Sequence, residues 1–355
     1  PVLEDITFEA RPGTTTADVD AWLTAELDLA RRVLGDYAPR VETVFIGGGT
    51  PTMLTATQLG GLVRGVRERF GLAGDAEVTT EANPDSVTRE DLQTLTDGGF
   101  TRVSFGVQSA VPHVLRTLER THDPANVPRV VQWAKEAGLS VSTDLIYGTP
   151  GETVADVEAS VRAALACEVD HLSAYSLIIE GNTAMARQLR RGEIEAPDPD
   201  DMADKYELID GLTREAGLSW YEVSNWAHDP EGAGVHRARH NVAYWEDQDW
   251  WGIGPGAHSH LAGVRFWNAK HPAAYAQRLA TGVTPAVGRE RPDADARRLE
   301  RIMLAVRTVG GLPTAELVSE TPGEAARTRG AIAELIAAGL LDGRAAVDGR
   351  IVPTL

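Results

Sequence analysis

The 355-residue sequence has one cysteine, Cys167, no apolar run near the roughly 20 residues a membrane span needs, and few basic residues for its length. Each scarcity excludes something. A single cysteine rules out an internal disulfide framework and any centre that draws several thiolates from this chain. Without a long apolar run no transmembrane segment is expected. The opening stretch PVLEDITFEARPG has neither the basic nor the apolar region of a signal peptide, so the expected location is cytoplasmic. With 34 Lys plus Arg against 52 Asp plus Glu, the formal net charge of −18 leaves no basic footprint for a phosphate backbone, and nucleic acid is not an expected partner. What is present suits a folded globular chain: 43% apolar residues, and a length that fits one large α/β domain plus a smaller one.

Short β-rich runs alternate with helical patterns. Strands are expected at Val41–Ile46, Glu77–Glu81, Arg102–Gly106, Ser140–Ile146, His171–Ile178 and Trp220–Val223, each rich in Val, Ile, Thr, Tyr or Phe and bounded by Gly, Pro or Asn. Amphipathic segments at 56–70, 88–97, 126–137, 153–166 and 201–216 fall between them, several closed by glycine, as at Gly71, Gly98, Gly138 and Gly217. This alternation implies a parallel sheet, flat or curled into a barrel. An earlier helix over 16–34 has Thr16 as its expected N-cap and Gly35 at its end, and Val2–Phe8 is a further candidate strand.

The last third changes character. Residues 220–271 carry six of the eight tryptophans and six of the nine histidines, which marks either a specialised surface or an aromatic core. From residue 293 two helices are expected, then a third at 324–338 and a hairpin in GLLDGRAAVDGRIVPTL, an order resembling a winged helix. Residues 291–355 contain nine Arg and nine Asp plus Glu, so the basic face of a DNA-binding winged helix is absent.

In parallel α/β folds ligands bind beyond the carboxyl ends of the strands. Four consecutive strand ends read Gly47-Gly48-Gly49-Thr50-Pro51, Glu81-Ala82-Asn83-Pro84, Gly106-Val107-Gln108-Ser109 and Asp144-Leu145-Ile146-Tyr147-Gly148. Glycines let main-chain groups approach a ligand that a Cβ would hold off, and a polar group at each of the next three tips supplies convergent contacts. Any one of these stretches is equally turn chemistry; the four together favour a small-molecule site. The triple glycine is not a phosphate loop, because no lysine and hydroxyl follow it as a P-loop requires.

The ordered segments FIGGGTPT, TTEANP, RVSFGVQS, RTH, DLIYGTPGET, YEVSNWA, RHNVAYW and WWGIGPGAHSH resemble the radical S-adenosylmethionine proteins related to oxygen-independent coproporphyrinogen III oxidase, in the heme chaperone branch. The resemblance covers residues 20–355. It implies an α/β fold, a partial (β/α)6 TIM-like barrel with a small C-terminal winged-helix-like domain. The implied domains are a barrel over 1–225, with its first strand and cluster loop missing or replaced, an aromatic and histidine-rich extension over 226–285, and a helical domain over 286–355.

By the same resemblance Gly48, Gly49 and Thr50 hold the methionine amino group of S-adenosylmethionine, and Glu81, Gln108, Arg120 and Asp144 make its other contacts. The chemistry suits them: Asp144 can accept from both ribose hydroxyls, and Arg120 can pair with a carboxylate. RHNVAYW matches the H-N-x-x-Y-W motif of the chaperones. It implies His240 as a candidate ligand of heme iron, with Tyr244 and Trp245 lining the heme pocket. His236, His258 and His260 are the nearest competitors for the iron, and a buried aromatic core is the alternative reading of the same cluster.

The sequence departs from the family in two places. Relatives often carry cysteine where Ala238 stands, and no C-x3-C-x2-C motif for a [4Fe–4S] cluster is present. The expectation is that the cluster segment has been lost from this chain, since the S-adenosylmethionine contacts are otherwise intact; a naturally cluster-less relative is the alternative. A heme carrier serving heme-requiring client proteins is the first expectation. A coproporphyrinogen III oxidase-type enzyme of porphyrin biosynthesis and a cluster-less binding paralogue are the alternatives, and whether any radical chemistry remains is open.

Overall fold

The computed structural model describes residues 15–37, 40–181, 183–229, 232–318 and 321–354; the candidate strand at Val2–Phe8 lies outside them. Among the described residues the main sheet has seven strands: β1 (Val41–Ile46), β2 (Leu72–Ala82), β3 (Arg102–Gln108), β4 (Ser140–Tyr147), β5 (His171–Ser176), β6 (Leu218–Glu222) and β7 (Asn225–His228). Their spatial order is β1-β2-β3-β4-β5-β7-β6. The first five run parallel, as helix-connected strands should. β7 had no counterpart among the expected strands. It folds back from β6 through Val223 and Ser224, pairs antiparallel with both β5 and β6, and so separates them. Among the described residues the result is an open, curled half-barrel whose edges are β1 and β6.

The helices begin where local chemistry starts them. Thr55, Thr88 and Thr153 each cap a helix and are capped in return by Gln58, Asp91 and Asp156 three residues on. The first helix, Thr16–Leu34, obeys the same rule and corrects the expected cap. Thr15 accepts from Asp18 N–H while the Asp18 carboxylate takes the Thr15 N–H; Thr16 is two residues from Asp18, one short of the spacing a capping box needs.

The strands alternate with period two, apolar side chains outward and polar ones inward. Val78, Val103, Phe105, Val141, Leu145 and Leu172 pack under the helices with Leu59, Val63, Leu92, Val131, Val161 and Ile209 in one continuous core. The intervening positions put Thr79, Ser104, Asp144 and Ser173 on the concave face, where Ser104 bonds Asp144. The lumen is therefore polar.

Residues beyond β7 form a second sheet of three antiparallel strands, β8 (His258–Leu261), β9 (Val264–Asn268) and β10 (Ala286–Glu290), in the order β10-β9-β8. β10, at the start of the expected helical domain over 286–355, was not among the expected strands, and it pairs antiparallel with β9. Helix Thr16–Leu34 holds this region through one buried carboxylate. Glu26 accepts from Gly254 N–H at 2.7 Å, Asn268 Nδ2 at 2.7 Å and the Tyr275 hydroxyl at 2.5 Å.

In the C-terminal part, helices Ala294–Ala305, Thr314–Leu317 and Pro322–Ala337 pack on β11 (Leu312–Pro313) and β12 (Arg350–Ile351). The expected hairpin is modified. Its arms meet at the Leu341–Pro353 bridge, but Gly343–Val347 between them is helical, started by Asp342, which accepts from Arg344 and Ala345 N–H. A small core of Ala305, Leu312 and Ile351 holds this unit, and a Glu222–Thr308 bridge joins it to the end of β6.

Glu26→Ala would leave three buried donors facing a void, so we expect the unfolding free energy to fall by more than about 3 kcal/mol, at 1–3 kcal/mol per unpaired group. Urea denaturation of wild type, Glu26→Gln and Glu26→Ala reads this directly. An unchanged midpoint in Glu26→Ala would show that the carboxylate is dispensable to the fold.

Candidate functional site

Two sets of side chains meet in the half-barrel, one at the carboxyl ends of the strands and one along its open side. After β1, Gly48 and Gly49 have φ of 84° and 62°, a region that glycine enters without cost. Gly48 N–H donates to Glu81 Oε2 at 3.1 Å. At Gly47 a Cβ would lie 2.8 Å from Glu81 Oε1 and still closer to the Phe45 ring, so the backbone reaches the Glu81 carboxylate only because no side chain intervenes.

Gln108 ends β3 with φ 61°, a left-handed conformation that costs a non-glycine residue about 1–2 kcal/mol. Its amide folds back over Gly106, where a Cβ would lie 2.9 Å from Nε2. Asp144 on β4 is half-buried, with Ser104 Oγ donating to Oδ2 at 2.8 Å and Ser173 bonded from β5. Burial raises its pKa against the opposing effect of the two serines. Arg120 follows the short helix Pro112–Thr117 and is half-buried; among the described residues no hydrogen bond or ion pair ties it to Gln108 or Asp144. His122, two residues on, is buried beside it with its pKa lowered by desolvation, and it was not singled out from the sequence.

RHNVAYW forms helix Arg239–Trp245, whose N-cap, Ala238, has no capping side chain. Glu77 on β2 takes over that role from across the lumen. Its Oε2 accepts from Arg239 N–H and its Oε1 from His240 N–H, both at 3.0 Å. Arg102 on β3 lies 3.5 Å from the same carboxylate and donates through Nη2 to the His236 carbonyl at 2.9 Å.

The next two side chains of the helix diverge. His240 Nδ1 bonds Thr43 Oγ1 on β1 at 2.8 Å, whereas Asn241 Nδ2 donates to Glu222 Oε1 at the end of β6 at 3.0 Å. Consecutive residues thus grip the two edges of the open sheet.

The imidazole of His240 stacks on Phe45 with centroids 5.3 Å apart and planes 17° apart, and its Nε2 is 2.9 Å from the Tyr244 hydroxyl. Both nitrogens are engaged. Burial lowers its pKa to about 4 despite the nearby Glu77 carboxylate, so the ring is neutral at pH 7, the form that ligates iron. Tyr244 contacts Trp250 edge-on at 4.8 Å, and Trp250 contacts His260 at 5.0 Å, so an aromatic row leads from the lumen toward β8.

Trp245, expected beside Tyr244, is buried with its indole N–H unpaired, and no ring contact joins it to His240 or Tyr244 among the described residues. His236 lies apart with His228 and Asp170, and His258 stacks on Trp267. Thr43, Phe45, Glu77, Asn241, Glu222 and Trp250 were not foreseen as site residues.

The desolvated imidazole makes stability depend on pH. His240 has a folded pKa below its unfolded value of 6.5, so the stability it contributes is complete above pH 6.5 and is lost as pH falls toward about 4. The raised pKa values of Asp144 and Glu222 act in the opposite direction, so only a difference isolates the histidine. Relative to His240→Gln, wild type is expected to lose about 2 kcal/mol between pH 7 and pH 5. Urea midpoints of both proteins at the two pH values test this, and parallel shifts would exclude a buried neutral imidazole.

The Radical SAM superfamily pattern matches residues 21–164. The chain is 47% identical over 327 residues to the heme chaperone HemW of Mycobacterium tuberculosis, covering 91% of this chain and 80% of that protein. It is 32% identical over 297 residues to HemW of Bacillus subtilis, covering 83% and 77%. Among solved structures it superposes on the coproporphyrinogen III oxidase HemN of Escherichia coli, described as a radical SAM enzyme, with a TM-score of 0.76 over 96% of this chain and 81% of that one; at 21% identity this shows the shared fold. The polar-lined half-barrel, the glycine-rich first strand end and the H-N-x-x-Y-W helix thus occur together in a chain that belongs to the HemW heme chaperone family of radical SAM proteins.

Proposed function

We propose that the protein carries heme as cargo for heme-requiring client proteins, with His240 as an axial ligand, and binds S-adenosylmethionine at the strand ends. The observation that carries the reading is helix Arg239–Trp245, which presents a neutral imidazole between the aromatic rings of Phe45 and Tyr244. Imidazole nitrogen is a common protein donor to heme iron, and flat rings bury the macrocycle's apolar surface. Iron at Nε2 would displace the Tyr244 hydroxyl, and that hydrogen bond would form again on release. Its recovery offsets part of the cost of breaking the iron bond, which suits a protein that must give its ligand up.

The strand-end residues fit S-adenosylmethionine. Gly48 and Gly49 carry no side chain that would hold an amino acid moiety off the main chain, and Asp144 keeps lone pairs beyond the two that its serines use. When bound, that cofactor would supply a sulfonium and an adenosyl group; this chain's residues would orient them and shield them from water.

The [4Fe–4S] cluster typical of the superfamily does not fit the residues of this chain. It needs three thiolates, and the one cysteine present, Cys167, follows the helix Val154–Leu165 with its thiol on the Ala163 carbonyl and its pKa raised by burial. No step is therefore assigned to a cluster.

Two measurements test the reading. In hemin titrations followed by absorbance, His240→Ala should shift the Soret band and coordination state more than it abolishes binding, because apolar burial supplies much of heme affinity, whereas His258→Ala should match wild type. Identical spectra for wild type and His240→Ala would remove the ligand assignment, and no saturable binding by wild type would remove the carrier reading. By calorimetry, Asp144→Asn should weaken S-adenosylmethionine binding by roughly 1–3 kcal/mol, the range for a hydrogen bond to a charged group. Unchanged affinity would return Asp144 to a purely structural role.

A further inference from the structure

Thr43 and Glu77 occupy paired positions on β1 and β2, and both face the same histidine. Glu77 fixes its backbone by accepting from the N–H of residues 239 and 240, and Thr43 meets its ring at Nδ1, 2.8 Å away. Phe45, two residues along β1 on the same face, stacks on the ring and fixes its plane. Three contacts from two adjacent strands thus define the orientation of one imidazole.

A neutral imidazole has one N–H and one lone pair, and their assignment decides which nitrogen can take a metal. If Nδ1 carries the proton, Thr43 Oγ1 accepts it and the lone pair lies on Nε2, where the Tyr244 hydroxyl donates. The opposite assignment would put a proton on Nε2 and block it. Tyr244 is half-buried, and its hydroxyl, 2.9 Å from Nε2, is the donor this arrangement requires.

We propose that Thr43 is the positioning residue for His240, holding the proton on Nδ1 and so directing the Nε2 lone pair to the heme iron. The inference rests on the axial-ligand reading above. Metal-bound histidines generally donate their second N–H to a protein acceptor, and loss of that acceptor typically weakens metal binding 10- to 100-fold.

The test is hemin titration of the whole chain as wild type, Thr43→Val, Thr43→Ser and His240→Ala, followed by Soret absorbance and ferric EPR. Thr43→Val keeps the side-chain volume and removes the hydroxyl. It should weaken hemin binding by about 10-fold and alter the low-spin signal, whereas Thr43→Ser should restore both. In a His240→Ala background, Thr43→Val should have no further effect. If His240→Ala changes the spectrum but Thr43→Val matches wild type, the positioning role is overturned and the ligand assignment stands. Failure of Thr43→Ser to rescue would show that strand packing, not the hydroxyl, is responsible, and would also overturn it. If His240→Ala itself matches wild type, the ligand assignment falls and the role of Thr43 falls with it.

Discussion

Among the described residues the curled sheet does not close, leaving two edge strands with a polar lumen between them, and the rest of this structure depends on how that gap is spanned. Unpaired edges and buried polar groups are both costly unless something satisfies them. Here a seven-residue helix does so. Its first two free N–H groups go to the buried Glu77 carboxylate, and its second and third side chains reach β1 and β6. Glu77 is tolerable in the interior because Arg102 stands beside it and two N–H groups bond it. Without that carboxylate the helix would have no N-terminal cap, and His240 would have no fixed position.

The polar lumen also explains why desolvated ionisable groups concentrate here. Asp144, Glu222, Tyr175 and Tyr221 have their pKa values raised, and His171 and His240 have theirs lowered, with desolvation the leading cause each time. Hydrogen bonds join many of them: Asn241 and Asn225 to Glu222, Asn225 to Tyr175, Tyr175 to Ser173, and Ser173 to Asp144. A near-continuous chain of partners therefore runs from the H-N-x-x-Y-W helix to the strand ends. Such a network specifies a unique arrangement only when its members are satisfied, which these contacts largely achieve.

Much of the fold was legible because its signals are local. Threonine caps followed three residues later by Asp or Gln, closing glycines and short β-rich runs carry their own start and stop chemistry, so six strands and the helices between them fall within a few residues of expectation. β7 was not legible. Asn225–His228 is short, begins and ends on a polar residue, and gains its place only from pairing with β5 and β6. The helical turn Gly343–Val347 was likewise read as part of a hairpin, because Asp342 can start either a turn or a helix and only the packed arms decide between them. At the site, glycines and the sequence motif announced the strand ends and His240. Thr43 and Glu77 did not announce themselves, since a Thr and a Glu in a strand are ordinary, and their partners lie 197 and 163 residues away for the ring and the His240 N–H. The period-two alternation in VTTEA, RVSFGVQ and SVSTDLIY was the one available signal that a polar face would turn inward.

Because His240 and Asn241 are neighbours in sequence yet hold opposite edges of the sheet, the half-barrel behaves as a ring fastened by a single staple. The aperture between β1 and β6 is then spanned by two side chains on one turn of helix. A movement that draws the His240 ring away from Thr43 pulls on the same backbone that carries Asn241, so the hold on Glu222 changes with it. The width of the lumen and the posture of the histidine are, in mechanical terms, one degree of freedom.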